Sequence, residues 1–258
     1  MKKFLLAVII ISAFIIPCES SGLEKTFGII GAMDVEVDLL KASAKIESIE
    51  KIADMEFCKG TLGGRSVVVV KCGIGKVNAG ICAQILITRF KAAHIINTGI
   101  AGSLNPELNI GDVVIARDCV QHDYDVSYLN FAKGEIPYTG KFAFESDPEL
   151  CQKALQAAKK AAPDKNIIEG RICTGDQFIS TKAQKDLITS TFGGDCCEME
   201  SGAIAQVCYL NKVPFVIIRT ISDKADSQET IDFHEFEEVT ARLSASIVKL
   251  MLEEEGRQ

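Results

Sequence analysis

Acidic side chains and one arginine recur just after apolar runs in this 258-residue sequence. Glu36 follows the run at residues 27–30, and both Arg219 and Asp223 follow the run at 215–218. Carboxyl groups can serve as general acids and bases, and they can stabilise a cationic transition state. Taken alone, Glu36 is better explained, together with Asp34, as an acid that complements the dipole of a helix. The recurrence of such residues predicts an acid–base site.

Three more segments place candidate ligand-binding groups after apolar runs. Residues 97–103 contain two glycines, which let the backbone approach a ligand closely. Residues 174–179 offer the ring of Phe178 beside polar backbone, and residues 197–200 add the carboxylate of Glu200. We expect these groups to share a site with the acids.

The segment Gly73-Ile74-Gly75-Lys76 is similar to a phosphate-binding loop. However, the first glycine of that motif and the Ser or Thr after its lysine are both replaced by valine, so it is not a Walker motif. A dinucleotide fingerprint is absent as well. We expect a close-packed turn that opens a helix.

The sequence gives little support for a metal-dependent enzyme or a serine hydrolase. The three histidines, at positions 94, 122 and 234, lack metal-ligand spacing, and there is no H-E-x-x-H or G-x-S-x-G motif. Solvated or hydrogen-bonded roles suit them better. The sequence predicts no metal and no cofactor.

The elements that must position these residues alternate along the chain. Short apolar runs typical of buried strands lie at 27–30, 67–70, 94–97, 113–116, 167–172 and 215–218. Helical periodicity appears at 35–44, 79–90, 148–161, 202–210 and 233–252. Asp147 and Ser146 precede Pro148, as in a helix N-cap. We predict a three-layer α/β domain with a mostly parallel sheet, whose ligands bind at the strands' carboxyl ends.

Composition limits the class of partner. A hydrophobic content of 47% supports a single domain with a substantial core. The net charge is −7 and the basic residues are scattered, which argues against a nucleic-acid partner. A neutral or zwitterionic small molecule fits better.

The first twenty residues predict a secretory signal. Lys2 and Lys3 precede an apolar run at 4–16, which is too short for a membrane span. The alternative is a buried N-terminal strand. We expect residues 1–20 to be the signal, the chain to be exported, and the 21–258 domain to have no stable membrane span after processing.

The cysteines raise two further questions. Cys18 could carry a lipid anchor, although Pro17 fits that signal poorly. Most of the other nine lie within apolar runs, there is no C-x-x-C pair, and Cys196 and Cys197 are adjacent. We therefore predict mostly free thiols rather than a disulfide framework.

The motifs together resemble a known family. The segments FGIIGAMDVEV, KCGIGKVNAG, INTGIAGSL, GDVVIARD followed by HDYDV, TGDQFI, EMESGAIAQVC and VPFVIIRTISDKAD occur in order. They resemble the bacterial 5′-methylthioadenosine/S-adenosylhomocysteine nucleosidases, of the nucleoside phosphorylase family. The resemblance implies an αβα sandwich with a central mixed sheet, a homodimer, and hydrolysis of adenine nucleosides to adenine and the (thio)ribose.

The resemblance also implies roles for the acids. Asp223, held by Ser222, would protonate the adenine at N7, which requires a pKa raised by burial. Glu36 would activate the attacking water. Glu200 would bind the ribose hydroxyls, oriented by Arg219.

The remaining binding residues follow from the same resemblance. Phe178 would stack on the base, and the backbone of Ile179 would read its edge. Met199 would pack on the sugar, Phe233 would close over it, and Pro137 would reach the alkylthio pocket from the partner subunit. Further substrate contacts are expected at Ile74, Ile100, Ala101 and Gly102.

Two other functions stay open at this point. A phosphorylase of the same family would hold phosphate with arginines, whereas this chain has Asn97 where such enzymes often place one, and Glu36 would repel phosphate. A secreted binding protein that lost catalysis would not need its four candidate catalytic residues. The chain also departs from many family members in having Ile100 in place of Ser and in its export signal. The sequence does not rank methylthioadenosine, S-adenosylhomocysteine and 5′-deoxyadenosine as substrates.

Overall fold

The computed structural model describes residues 25–225 and 229–255, with the backbone alone over 229–234 and at 255. The strands of this part are β1 (Phe27–Gly31), β2 (Lys45–Ile52), β3 (Met55–Leu62), β4 (Arg65–Lys71), β5 (His94–Ser103), β6 (Val113–Gln121), β7 (Phe144–Glu145), β8 (Ile167–Thr174), β9 (Cys196–Glu198) and β10 (Phe215–Asp223). The helices are α1 (Asp34–Ser43), α2 (Lys76–Thr88), α3 (Pro148–Ala161), α4 (Lys182–Phe192), α5 (Ser201–Asn211) and α6 (Glu229–Glu255). The predicted signal segment lies outside the described residues.

One mixed sheet forms the middle of the fold. Strands β4, β1, β5 and β10 pair in parallel, in that order, and β3 and β2 extend this part antiparallel beyond β4. Beyond β10, β6 pairs antiparallel and then β8 and β9 follow in parallel. Because β9 also pairs with β5, strands β5, β10, β6, β8 and β9 close into a ring. The carboxyl ends of β1, β5 and β10 therefore meet at one edge of the sheet.

Alternating side chains of the central strands fill two cores. Ile29 packs in a cluster with residues of α1, α3 and α6, while its neighbour Ile30 packs in a cluster with residues of α2 and α5. This two-residue alternation is what a strand buried on both faces requires. The predicted three-layer αβα architecture is confirmed.

The predicted elements lie where the sequence placed them, with additions. All six predicted strands lie within observed strands, and four of the five pairings among them are parallel. The four strands that sequence reasoning missed are β2, β3, β7 and β9, of which β2 is largely exposed and β7 and β9 are very short. Helix α4 was also missed because only Ile188 and Phe192 of its residues are buried. The predicted cap forms, since Asp147 Oδ1 accepts a hydrogen bond from Leu150 N at 3.0 Å.

The predicted free thiols are found in the described part of the chain. Its nine cysteines are all unpaired and buried, where they pack as small apolar side chains. Within the same residues, no helix combines the length and the apolar character needed to cross a bilayer.

Candidate functional site

A cleft of about 620 Å³, counting the space at its open mouth, lies at the edge where β1, β5 and β10 end. This is where ligands bind in open α/β sheets. Sixteen residues line the cleft. They are Ala32, Met33, Glu36, Ile74, Ile100, Ala101, Gly102, Gln177, Phe178, Ile179, Cys197, Glu198, Met199, Glu200, Ser222 and Asp223.

Glu36 points back into the cleft from the first turn of α1. Its Oε2 accepts hydrogen bonds from Ala32 N at 2.6 Å and Met33 N at 3.0 Å, at the turn between β1 and α1. Its Oε1 accepts from Ile100 N, on β5, at 3.1 Å. The short turn after β1 therefore fixes the carboxylate over the strand ends.

The pKa of Glu36 is raised above its ordinary value. Burial is the main cause, and it outweighs the opposing effects of the Arg219 charge and of the three backbone N–H donors. Arg219 Nη1 lies 3.8 Å from Glu36 Oε1. A carboxylate with a raised pKa is a stronger base toward water.

Arg219 lies behind the cleft wall, in the middle of β10. Its Nη2 lies 2.5 Å from Glu198 Oε2 and 3.5 Å from Glu200 Oε2, and it donates to Asn97 Oδ1 at 2.7 Å. Burial acts to lower the pKa of Arg219, but the surrounding carboxylates outweigh this effect and raise it. The guanidinium therefore stays charged.

Glu198 is the closest carboxylate to Arg219, and sequence reasoning gave it no role. Its Oε2 also accepts from Glu200 N at 3.0 Å and Ser201 N at 2.9 Å, so it caps the N-terminus of α5. Its Oε1 accepts from Thr174 Oγ1. The signal was an acid just upstream of the predicted helix 202–210, where acids favourably meet the helix dipole.

Glu200 occupies the N-cap position of α5 and turns its carboxylate into the cleft. Its Oε1 accepts from Gly75 N at 2.9 Å. Burial raises the pKa of Glu200, the Glu198 charge raises it further, and Arg219 opposes both. Glu200 is thus placed to accept hydrogen bonds from a polar ligand.

Asp223 ends β10 and lines the same cleft as Glu36. Ser222 Oγ donates to its Oδ2 at 2.8 Å, and Ala225 N donates to its Oδ1 at 2.9 Å. The second bond closes a short turn directly after β10. A Cβ atom on Gly102 would come within 2.7 Å of Asp223 Oδ1, so only glycine fits there without displacing the carboxyl group.

The structure brings most of the predicted binding residues together. Met199, Ile179, Ile100, Ala101 and Gly102 line the cleft, together with Ile74 and Phe178. The last two are 55% and 49% exposed, which suits groups at the open mouth. The side chain of Ile100, where many family members have Ser, contributes apolar surface only.

Two predicted binding residues are not among the described residues that line the cleft. Pro137 is half-buried and lies in the turn between the bridged residues Ile136 and Lys141, and it does not line the cleft of a single chain. Its expected role requires a partner subunit and stays a prediction. Phe233 lies in α6, but its side chain is outside the described residues. Lining residues that were not predicted are Ala32, Met33, Gln177, Cys197 and Glu198.

The arrangement suits chemistry on a cationic centre. Glu36, Glu198 and Glu200 surround the single guanidinium of Arg219, so the group carries a net charge of −2 when all are ionised. Such a field favours positive charge in the cleft. Glu36 and Asp223 give the same cleft two carboxyl groups that can exchange protons with a bound molecule.

Comparison with known proteins agrees with this geometry. The phosphorylase superfamily model matches residues 26–253. The 5′-methylthioadenosine/S-adenosylhomocysteine nucleosidase of Geobacillus sp. (strain WCH70) is 43% identical over 224 residues, which cover 85% of this chain and 94% of that protein.

Solved structures show the same relationship. The crystal structure of the Neisseria meningitidis enzyme of that name, in complex with methylthio-immucillin-A, has a TM-score of 0.86 and 36% identity, and covers 89% of this chain and 99% of its own. Futalosine hydrolase of Helicobacter pylori strain 26695 has a TM-score of 0.85 and 31% identity, with 91% and 100% covered. The chain belongs to the phosphorylase superfamily and, within it, to the family of the 5′-methylthioadenosine/S-adenosylhomocysteine nucleosidases.

Proposed function

We propose that this chain hydrolyses the N-glycosidic bond of 5′-methylthioadenosine and S-adenosylhomocysteine, with 5′-deoxyadenosine as a further candidate substrate. One observation carries the proposal. Glu36, in the helical turn that follows β1, and Asp223, at the end of β10, line the same cleft, and the other two carboxylates near Arg219, Glu198 and Glu200, line it as well. The relatives named for this reaction are similar over nearly their whole length.

The reaction follows from the two carboxyl groups. Asp223 gives its proton to N7 of the adenine as the bond between C1′ and N9 breaks, and the bonding electrons leave with the base. Glu36 takes a proton from water as the water oxygen bonds to C1′. The products are neutral adenine and the (thio)ribose, and the two protons balance.

The rest of the cleft binds the substrate. The ring of Phe178 stacks on the purine, a contact that contributes about 0.5–1.5 kcal/mol beyond area burial. The backbone of Ile179 reads the purine edge. Glu200 accepts hydrogen bonds from the ribose hydroxyls while the negative field beside Arg219 stabilises the oxocarbenium-like sugar.

Hydrolysis is favoured over phosphorolysis by charge. None of the described residues that line the cleft is Lys or Arg, and Arg219 is already surrounded by three carboxylates. Bound phosphate needs charge-assisted donors. The carboxylate of Glu36 would instead repel a phosphate ion in the cleft.

An adenine-release assay on the protein from residue 21 onward tests the proposal with the three nucleosides. We expect adenine and free (thio)ribose at a rate that phosphate does not change. A sugar phosphate as product would instead identify a phosphorylase. Release of no adenine from any of them would leave only a binding role.

The Asp223→Asn variant tests the acid, because an amide cannot supply the proton. We expect adenine release to fall by about 10²–10⁴-fold, the usual contribution of a general acid. Asp54→Asn is the control, since Asp54 is exposed and pairs with Lys51 between β2 and β3. Full activity of Asp223→Asn would refute the role of Asp223.

We also propose that the chain is a homodimer. Val77 and Ile81 are exposed apolar residues four apart on one face of α2, and the exposed Ile74 lies in the turn just before this helix. Ile74 also lines the cleft, so a second copy on these residues would lie beside the site. Sedimentation should give a dimer, and Val77→Lys with Ile81→Lys should give a monomer. A wild-type monomer would contradict the proposal.

We propose export on the sequence of residues 1–20. The family match begins at residue 26, after this segment. Cell fractionation followed by mass spectrometry of the mature N-terminus should find the protein outside the cytoplasm and beginning near residue 21. A lipid on Cys18 would appear as an added acyl mass, and an intact Met1 in the cytoplasm would overturn export.

A further inference from the structure

Three charged residues at the rim of the cleft have no part in the chemistry described so far. Lys76 begins α2 after the turn that follows β4, and Asp123 and Asp176 follow β6 and β8. Lys76 Nζ donates to Asp123 Oδ1 at 2.5 Å, and Asp176 N donates to Asp123 Oδ2 at 2.9 Å. Lys76 N in turn donates to Asp176 Oδ1 at 2.8 Å. We call these three residues the rim clamp.

The ion pair of the rim clamp is unusually well shielded from solvent. The side chains of Lys76 and Asp123 are 17% and 15% exposed. In every other lysine–carboxylate pair within the described ranges, at least one side chain is more than a third exposed. Water screens a shielded pair less than a surface pair, so it holds its geometry more firmly.

Asp123 is charged, as its ion pair with Lys76 requires. Burial acts to raise its pKa, but the hydrogen bonds from Lys76 and from the Asp176 N–H outweigh burial and lower it. Asp123 therefore remains a carboxylate with both oxygens engaged. Charge-assisted hydrogen bonds of this kind are roughly twice as strong as neutral ones.

The rim clamp joins the backbone of two walls of the cleft. On one wall, Gly75, next to Lys76, donates its N–H to Glu200. On the other wall, Asp176 lies two residues before Phe178, which lines the cleft. The contact is close, because a Cβ atom on Gly75 would lie 3.1 Å from Asp176 Oδ1. The position of Glu200 relative to the Phe178 ring thus depends on these three residues.

We propose that Asp123 is a positioning residue that, through Lys76 and Asp176, sets the separation of the sugar-binding and base-binding walls and so determines affinity for nucleosides. The proposal rests on the proposed function, since it assigns the sugar to Glu200 and the base to Phe178. The proposal also gives a role to the Gly73-Ile74-Gly75-Lys76 segment and to Asp123 of the His122-Asp123 segment. The proposed hydrolysis reaction assigns no role to Lys76 or Asp123.

Kinetics of Lys76→Met and Asp123→Asn provide the first test. We expect each to raise KM for methylthioadenosine about tenfold while kcat changes less than about threefold, because binding rather than the chemical step is affected. The double variant should match the worse single variant, because both changes break one interaction. Asp54→Asn is the control, since Asp54 pairs with Lys51 at 2.7 Å on the exposed surface.

Asp176→Ala provides a variant that keeps the shielded ion pair. Asp176 is exposed, so the fold should tolerate its loss, and only the bond from Lys76 N is removed. We expect KM to rise about threefold. Unchanged KM in all the rim-clamp variants, or KM increases that multiply in the Lys76→Met and Asp123→Asn double variant, would overturn the proposal.

Hydrogen exchange separates this proposal from the proposed function. The Asp176 N–H donates to Asp123, so amides at 175–178 should exchange faster in Asp123→Asn and remain unchanged in Asp54→Asn. If the wild-type protein releases no adenine but this exchange result holds, the proposed function fails and the link between the walls stands. Unchanged exchange in Asp123→Asn overturns the rim clamp whatever the activity.

Discussion

Arg219 Nη2 lies 2.5 Å from Glu198 Oε2, and the two side chains are 1% and 4% exposed. Glu198 also accepts two backbone N–H bonds at the start of α5, where Glu200 is the N-cap. One carboxylate thus fixes both the guanidinium and the helix end that carries Glu200. The site depends on this contact although Glu198 takes no part in proton transfer.

Replacing Glu198 with Gln should damage both stability and activity. Glutamine removes the charge from the shortest contact of Arg219, and the guanidinium then depends on Glu36 and Glu200 at 3.8 Å and 3.5 Å. We therefore expect a loss of about 1.5–3 kcal/mol of unfolding free energy, the usual worth of a hydrogen bond to a charged group. Adenine release should fall about 10²-fold or more, as when one preorganised electrostatic group is lost. Urea unfolding and the adenine assay measure the two effects.

Glu238→Gln is the matched control for Glu198→Gln. Glu238 pairs with Arg242 at 2.9 Å, but both side chains are exposed. Its loss should change the unfolding free energy by no more than about 0.5 kcal/mol. If the two variants have the same unfolding free energy and the same rate of adenine release, the contact between Glu198 and Arg219 contributes no more to stability or activity than an exposed ion pair does.

Gly99→Ala should abolish activity by steric overlap. A Cβ atom on Gly99 would overlap Arg219 Nη1 and Glu36 Oε1. A displacement of about 1 Å in a catalytic group can reduce the rate about 10²-fold. We expect at least this loss in kcat.

Gly80→Ala is the control for this substitution. A Cβ atom there would meet only Val207 Cγ2, at 3.9 Å, and Gly80 lies within α2. Alanine at a helical site should stabilise the protein by about 1 kcal/mol and leave turnover unchanged. Near-normal turnover of Gly99→Ala would show that the carboxylate and the guanidinium do not need their observed positions.

Because of Glu36, the stability and the activity of the protein should depend on pH in opposite directions. Because burial raises its pKa, the folded protein holds this proton at pH values where the unfolded chain has lost it. The stability that Glu36 contributes is therefore complete below its ordinary pKa and is lost as the pH rises through the raised one. Activity should change in the opposite direction, since general-base catalysis requires the carboxylate.

Unfolding of wild type and Glu36→Gln in urea, from about pH 4 to about pH 8, measures the stability effect. The variant should become more stable relative to wild type as the pH rises, while its adenine release stays low at every pH. A constant difference in stability across this range would show that the pKa of Glu36 is not raised.

The sequence could predict the parts of the site that depend on strand ends. Glu36 and Asp223 each follow a short apolar run typical of a buried strand, and parallel strands bring their carboxyl ends to one edge, so a shared cleft was expected. Asp147 could be recognised as a cap from its place before Pro148. These features depend on local patterns and on one general rule of topology.

The parts that depend on tertiary context could not be predicted. Strand β9 has three residues, too few to show periodicity, so the direction of Glu198 toward Arg219 was not apparent. The bond between Lys76 and Asp123 joins the start of α2 to the loop after β6, and the two residues are 47 positions apart in the chain. Cys197 was considered only as one of two adjacent cysteines without a disulfide, but it also lines the cleft.

The nine buried cysteines should be inert in the folded protein. Burial raises the pKa of every one of them, so the reactive thiolate is suppressed as well as shielded. With an aromatic disulfide reagent at about pH 8, near the pKa of free cysteine, the native protein from residue 21 should show no rapidly reacting thiol, and in denaturant without reductant it should show all nine. The full chain should show a tenth, at Cys18. Fewer than nine in denaturant would reveal disulfides, and rapid reaction of the native protein would mean that the cores open readily to solvent.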